Sequence, residues 1–163
     1  MAPDVFGNVP QVGEQLPEVT LDVDHTMVVM SAAATNVFFR GHTDTAYAQS
    51  QGRRDVYLAT GPIAGLLDRF VTSWAGPRAF LAKRTLTMRE SICAGDTVRI
   101  RGEVTSVSTE SLPGRPLRGP AVEVSVTIVD ASDALCVSST ITLLLGHTDK
   151  PIATLAADEQ AAR

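Results

Sequence analysis

The stretch TGPIAGLLDRFVTSWAGP, residues 60–77, contains the clearest helix pattern in the chain. Its large apolar side chains recur at intervals of three and four residues and so share one face: Ile63, Leu66, Leu67, Phe70, Val71 and Trp74. The pattern predicts a helix over residues 60–74, with Thr60 as its N-cap and Pro62 in the first turn, where a missing N–H does no harm. Gly76 ends it. A helix with so broad an apolar face requires a partner surface.

The chain after this helix has the pattern of a sheet. Alternation of apolar and polar side chains predicts four strands, at residues 79–88, 97–107, 121–129 and 137–145. A segment rich in proline and glycine, residues 109–120, predicts a loop between two long strands. These strands supply the surface that the helix needs.

The chain before the helix is expected to begin with another strand. Residues 20–30 combine an alternating segment with an apolar run, which predicts a strand region ending near Ser31, and alanines 32–34 suggest the start of a short helix. Residues 44–51 predict a short helix with Asp44 at its start. The order of elements predicts an α+β fold in which an antiparallel sheet wraps around the long helix. Open sheet edges favour a dimer.

The composition indicates one soluble domain over residues 1–163, with residues 1–11 and 150–163 peripheral or flexible. The net charge of −4 argues against partners such as nucleic acid or an anionic membrane surface. No apolar run approaches the ~18 residues of a membrane span, and the N-terminal residues lack a signal-peptide pattern. Two cysteines in unrelated contexts predict neither a disulfide framework nor a zinc site. We therefore expect a cytoplasmic protein with no metal and no cofactor.

Four stretches resemble the MaoC-like hotdog family, which includes (R)-specific enoyl-CoA hydratases and 3-hydroxyacyl dehydratases. Residues 12–17 are similar to its opening segment, and residues 34–52 to its hydratase loop and following helix. Residues 60–77 resemble the central helix of actinobacterial members, and residues 93–98 the strand-turn element after it. The resemblance covers about residues 11–146. It implies a hotdog fold that dimerises through sheet edges and a substrate that is an acyl thioester of CoA or acyl carrier protein.

The family's catalytic motif is Asp-x-Asn-Pro-x-His, followed by x-Asp. Hydration of an enoyl thioester needs a base for water, an acid for the α-carbon and donors for the thioester oxygen. The resemblance places the motif's histidine at His42 and the following aspartate at Asp44. It places the backbone donor at Gly61, where the helix dipole assists. The implied catalytic residue is therefore His42, with Gly61 as the oxyanion donor.

The rest of the motif is changed. Val37 stands five residues before His42, where the family has its aspartate, and Phe39 and Arg40 occupy the Asn and Pro positions. Valine cannot act as a base, so half of the pair that activates water is missing. We predict a substrate-binding set made of Asn36, Val37, Phe38, Phe39, Arg40 and Thr60.

Each of these residues also has an ordinary interpretation. A histidine such as His42 could act alone as a general acid or base, but a backbone group could satisfy it instead. Asp44 is more typical of a helix N-cap than of a catalyst. Asn36 can bond a water or a carbonyl. Arg40 is either a solvated charge or a contact for phosphate or carboxylate.

Three functions remain open from the sequence. The leading hypothesis is a MaoC-like dehydratase or hydratase with an altered site, acting on an acyl thioester or polyketide-like substrate. The second is an enzyme that guides an addition or cyclisation in a biosynthetic pathway, where geometry supplies much of the rate. The third is a non-catalytic subunit of a heteromer, whose second hotdog subunit carries the catalytic pair.

Overall fold

The computed structural model of the chain describes residues 9–108 and 120–145. This part contains five strands, three α-helices and one short 3-10 turn. In chain order they are β1 (Gln15–Val23), α1 (His25–Ala34), the 3-10 turn (Arg40–His42), α2 (Thr45–Ser50), α3 (Thr60–Ala75), β2 (Ala79–Met88), β3 (Asp96–Ser108), β4 (Ala121–Val129) and β5 (Leu135–Leu145).

The five strands form one antiparallel sheet in the order β1-β3-β4-β5-β2. The apolar stripe of α3 packs into the core with the inward side chains of the sheet, so the α+β arrangement is confirmed. Ile63, Leu67 and Val71 of α3 are fully buried, as are Val124 and Ile141 of the sheet. Leu66 is only partly buried, at the margin of the stripe.

The predicted elements after residue 60 match the structure closely. Strands 79–88 and 121–129 have the predicted bounds, and β3 and β5 differ from the prediction by one or two residues at their ends. Helix α3 ends at Gly76, which adopts a positive φ of 83° as its C-cap. The predicted N-cap is wrong: Ala59 holds that position, and Thr60 is the first helical residue. No side chain caps this end, and the Thr60 hydroxyl donates to Met88 Sδ instead.

The first predicted strand region is wrong beyond Val23. Residues 25–30 belong to helix α1, and the alanines expected to begin a helix end this one. Asp24 is the cause, because its side chain accepts a hydrogen bond from Met27 N at 2.6 Å and caps the helix. The apolar run fits a strand as well as a helix, because α1 buries only Val28 and Ala32, which lie four residues apart on one face.

Several sequence predictions fall outside the described residues. They are most of the loop 109–120, the segment 150–163 and the first eight residues. In the part of the chain that the structure describes, no helix is both long and apolar enough to cross a membrane.

Candidate active site

The C-terminal end of α1 fixes the positions of Asn36 and Val37. Asn36 has a positive φ of 55°, and its N–H donates to Ala33 O at 3.1 Å. The Val37 N–H donates to Ala32 O at 2.9 Å. These two bonds, around Thr35 as C-cap, are a Schellman motif in which asparagine takes the left-handed position usually held by glycine. The residue that replaces the family's aspartate is therefore held rigidly by its backbone.

The two phenylalanines that follow point to different surroundings. Phe38 is 76% exposed, so most of its ring faces solvent in the single chain. Phe39 is 48% exposed, and its ring meets the His42 ring edge-on with centroids 5.6 Å apart. Phe39 also contacts Tyr47 edge-on at 5.6 Å. Only Phe39 of this pair is brought to the histidine.

Arg40 and Asp44 bind each other. Arg40 Nη2 lies 2.6 Å from Asp44 Oδ2, and its guanidinium stacks 4.7 Å above the Tyr47 ring. Asp44 caps α2, where its side chain accepts from Tyr47 N at 3.0 Å. That backbone N–H, followed by the Arg40 side chain, holds the pKa of the Asp44 carboxyl below its usual value. The geometry confirms Asp44 as the predicted N-cap. Arg40 is bound to Asp44 of the same chain and is not simply a solvated charge.

His42 is buried, with 8% of its surface exposed. Its Nδ1 lies 2.7 Å from the carbonyl oxygen of Tyr57. A carbonyl can only accept, so Nδ1 must carry the proton, and the neutral ring then has its lone pair on Nε2. Nε2 has no hydrogen-bond partner among the described residues. The backbone therefore fixes the tautomer of His42 and leaves the other nitrogen available for chemistry.

Tyr57 and Gly41 complete the surroundings of His42, and sequence analysis missed both. The Tyr57 ring meets the His42 ring edge-on at 4.9 Å, and its N–H donates to Gly41 O at 3.3 Å. A side chain at position 41 would collide with Phe39 Cε1 at 2.7 Å and with Tyr57 Oη at 2.8 Å. Glycine is thus required where the two rings close around the histidine. The sequence offers one sign of this contact, which is that Tyr57 is an aromatic residue three residues before the start of α3.

The start of α3 offers backbone donors. Ile63 N bonds to Ala59 O, so the N–H groups of Thr60 and Gly61 have no acceptor within the helix, and Pro62 has no N–H. Gly61 is exposed, and a Cβ added there would meet only Thr35, at 3.8 Å. The absence of a side chain keeps the Gly61 N–H open to a ligand.

The backbone connects His42 to these donors. Tyr57, which holds the histidine, stands three residues before Thr60, and three residues span at most ~10 Å. Short backbone pairing between Tyr57 and Cys93 stiffens this connection. His42 and the two N–H groups at the start of α3 therefore lie in neighbouring segments of the chain, and position 37 carries no carboxylate. The described residues contain no cluster of His, Cys, Asp or Glu that could hold a metal ion.

A sheet wrapped around one long helix defines the hotdog class of folds. The ChsH1-ChsH2 complex from Mycobacterium tuberculosis contains a chain that superposes with a TM-score of 0.73 and 34% identity, covering 82% of this chain and 97% of that one. An (R)-hydratase from A. caviae involved in PHA biosynthesis has the same fold, with a TM-score of 0.71 and 19% identity over 84% of this chain and 98% of its own. The predicted hotdog fold is confirmed.

Sequence similarity identifies the family. The chain is 37% identical over 121 residues to the 3-oxo-4,17-pregnadiene-20-carboxyl-CoA hydratase beta subunit of Mycobacterium tuberculosis (strain ATCC 25618 / H37Rv), covering 72% of this chain and 94% of that protein. No family model matches the chain. The chain belongs to the family of MaoC-like hydratases, as its motifs predicted.

Proposed function

We propose that this chain is a subunit of a heteromeric MaoC-like hydratase and binds the CoA thioester of a bulky carboxylic acid. One observation carries the proposal: His42 and Gly61 stand where the resemblance places the family's histidine and backbone donor, whereas Val37 stands where the family has its aspartate. Similarity to a hydratase beta subunit that acts on a pregnadiene-carboxyl-CoA, and to a chain of a two-component complex, supports the same assembly.

In this proposal the two parts of the site have separate tasks. The N–H groups of Thr60 and Gly61 bind the thioester oxygen, which gains negative charge during hydration. The positive end of the α3 dipole adds to this stabilisation. His42 Nε2 moves one proton, with its ring held by the Tyr57 carbonyl. The carboxylate that completes water activation comes from the partner subunit.

The sheet offers a place for that partner. Strand β2 is at one end of the sheet and pairs only with β5 among the described strands, so a strand of a second subunit can extend the sheet there. Both cysteines are free and buried, which supports a reducing compartment such as the cytoplasm. We expect a heterodimer, or a dimer of heterodimers, built with a second hotdog subunit.

The test is hydration of a short trans-2-enoyl-CoA by the purified chain alone and by its complex with a second hotdog subunit from a neighbouring gene. Loss of one positioned acid–base group costs about 10²–10⁴ in rate, so the chain alone should be that much slower. In the complex, His42→Ala should lower kcat, whereas in the isolated chain it should change little. Turnover by the chain alone at about 1–10³ per second would contradict the proposal.

A matched variant tests the vacant position directly. Val37→Asp, combined with Phe39→Asn and Arg40→Pro, restores the family's motif around His42. We expect measurable hydration by this triple variant without any partner. Val37→Asn in the same background is the control, because an amide cannot take the proton.

The aromatic shell of His42 favours a second candidate function. Phe39 and Tyr57 exclude water from one side of the imidazole, which suits an addition or cyclisation within one substrate better than attack by water. A complex that binds the thioester, fails to hydrate it and loses turnover of a polyketide-type substrate in His42→Ala would support this candidate.

A further inference from the structure

The two outer strands of the described sheet, β1 and β2, differ in how they are protected from pairing with another strand. Strand β1 contains Pro17 beside a β-bulge, and both features disrupt strand addition. Its Glu18 carboxylate is bound by Arg101 of β3. Strand β2 contains neither proline nor glycine, and it pairs with β5 without a register shift over residues 83–88. The β2 edge is therefore the one that is open to another strand.

The β2 edge is also basic. Residues 78–89 contain four basic side chains and no acidic one. Lys83 and Arg89 are exposed, and neither forms an ion pair with any described residue. Two large apolar side chains on the same strand, Phe80 and Met88, are each 39% exposed. Exposed apolar side chains beside these charges indicate a surface that another chain covers.

The side chains of β2 alternate between the two faces of the sheet. Arg84 lies on the face that α3 covers, because it binds Asp68 of that helix. Its neighbour Lys83 therefore lies on the outer face, and alternation places Arg89 on the same face. Arg89 continues the strand pairing, since its N–H donates to Cys136 O at 2.8 Å. Residues of the same face lie opposite each other when two strands pair, so these charges would meet those of a second copy.

Pairing of β2 with β2 of a second copy brings like charges together. Two antiparallel copies related by a two-fold axis can centre on residue 83, 84, 85 or 86. Centring on 83 places the two Lys83 side chains opposite each other, and centring on 84 does the same for Arg84. Centring on 86 places Lys83 opposite Arg89 twice, and centring on 85 places them on a diagonal. Like charges directly opposite destabilise a strand pair, so self-pairing is penalised in each central register.

We propose that the β2 edge rejects a second copy of this chain and accepts a strand of a different subunit that carries carboxylates on its outer face. The inference rests on the proposed function, since that function supplies the second subunit. A carboxylate opposite Lys83 or Arg89 replaces repulsion by an opposite-charge pair. The exposed parts of Phe80 and Met88 gain apolar contact with either kind of partner, so they do not discriminate. Charge therefore selects the heteromer.

A charge-reversed copy of the same chain serves as the acidic partner in the test. Lys83→Glu combined with Arg89→Glu gives a chain whose β2 edge presents carboxylates to the basic edge of the unmodified chain. We expect the equimolar mixture to form a heterodimer roughly tenfold tighter than the dimer of either component in about 10 mM salt, measured by sedimentation velocity. In about 1 M salt, where the Debye length falls to ~3 Å, this difference should disappear.

Two further variants control for unspecific effects of charge. Arg53→Glu combined with Arg69→Glu makes the same change of net charge at two exposed arginines outside β2. Mixed with the unmodified chain, this variant should form no dimer tighter than the unmodified chain forms alone. Lys83→Gln combined with Arg89→Gln removes the charges of the edge without reversing them, and it should strengthen self-association. Unchanged self-association of the glutamine variant would contradict the role of charge.

The complex with the second hotdog subunit separates this inference from the proposed function. Lys83→Glu in this chain should weaken that complex about tenfold, whereas Lys83→Arg should not. A complex that hydrates the enoyl thioester and tolerates Lys83→Glu would overturn the charge selection and leave the proposed function standing. A heterodimer with the charge-reversed copy, without hydration by the complex with the second subunit, would overturn the proposed function and keep the selectivity of β2.

Self-association of the unmodified chain is the remaining readout. A dimer of the unmodified chain as tight as the mixed dimer would overturn the inference, because β2 would then accept its own charges. Growth of the unmodified chain into ever larger oligomers would also overturn it, because β2 would then pair with β1 of another copy. Absence of any dimer in the mixture would show that the β2 edge is not an interface.

Discussion

Helix α3 and the segment around His42 are held in place by different interactions. Burial against the sheet holds α3, where five of its large side chains contribute to one continuous core. The histidine segment has almost no core of its own, and individual contacts position it: the Tyr57 carbonyl on Nδ1, two aromatic edges and a capped helix end. Burial tolerates small shifts, whereas a site built from single contacts changes when one contact is lost. The difference predicts how each region responds to substitution.

The largest effect is expected in the helix core. Leu67 is completely buried in α3, so Leu67→Ala should lower the free energy of unfolding by about 2–5 kcal/mol and give poorly soluble protein. Urea denaturation measures the loss. Leu66→Ala is the control, because Leu66 is only partly buried and should cost clearly less. Equal stability of the Leu67 variant and the unmodified chain would show that burial of α3 is not central.

A smaller effect, with a specific consequence, is expected beside His42. A methyl group at Gly41 would lie 2.7 Å from Phe39 Cε1 and 2.8 Å from Tyr57 Oη, so one ring must move. Gly41→Ala should cost about 1–3 kcal/mol in stability. In the reconstituted complex it should also lower kcat, because the Tyr57 ring lies against His42. A fall in stability without a fall in kcat would show that the aromatic shell does not position the imidazole.

A glycine-to-alanine substitution in α3 should change the free energy of unfolding in the opposite direction. Gly65 is exposed within α3, and an added Cβ would meet nothing within 4 Å. Gly65→Ala should therefore raise the free energy of unfolding by about 0.5–1 kcal/mol, because alanine loses less backbone entropy in a helix. Thermal unfolding of the two alanine variants side by side measures the contrast. Destabilisation by Gly65→Ala would mean that the surface of α3 at position 65 does not have room for a Cβ atom, contrary to the structure.

The two regions also differ in how far the sequence predicts them. The α3 stripe and the strands after it follow directly from periodicity, because burial against a sheet selects apolar side chains at fixed intervals. Helix α1 does not, since it buries only Val28 and Ala32 and depends on the Asp24 cap. Its apolar run fits a strand equally well until that cap is recognised.

The site shows the same limit at the level of single residues. Resemblance to the family identifies His42 and Gly61, because their positions follow the motif. Nothing local indicates that Tyr57, fifteen residues from the histidine, supplies the carbonyl that fixes its tautomer. That contact exists only because the segment before α3 folds back along Gly41. Two residues such as His42 and Tyr57, which come together only when the chain folds, have no fixed separation in the sequence that would predict their contact.

The smallest effect concerns the charge that anchors α2 behind His42. The pKa of Asp44 is lowered in the folded chain by the Tyr47 N–H and by Arg40, so its ionised form favours folding. This contribution is complete above the carboxyl's ordinary pKa of about 4 and is lost as the pH falls through the lower folded value. Asp44→Asn keeps an acceptor for the Tyr47 N–H and removes only the charge. The variant should be slightly less stable than the unmodified chain at pH 7, and the gap in melting temperature should close below pH 4. A gap that stays constant down to pH 2.5 would mean that the loss of stability does not come from the charge of Asp44, and that its pair with Arg40 contributes nothing.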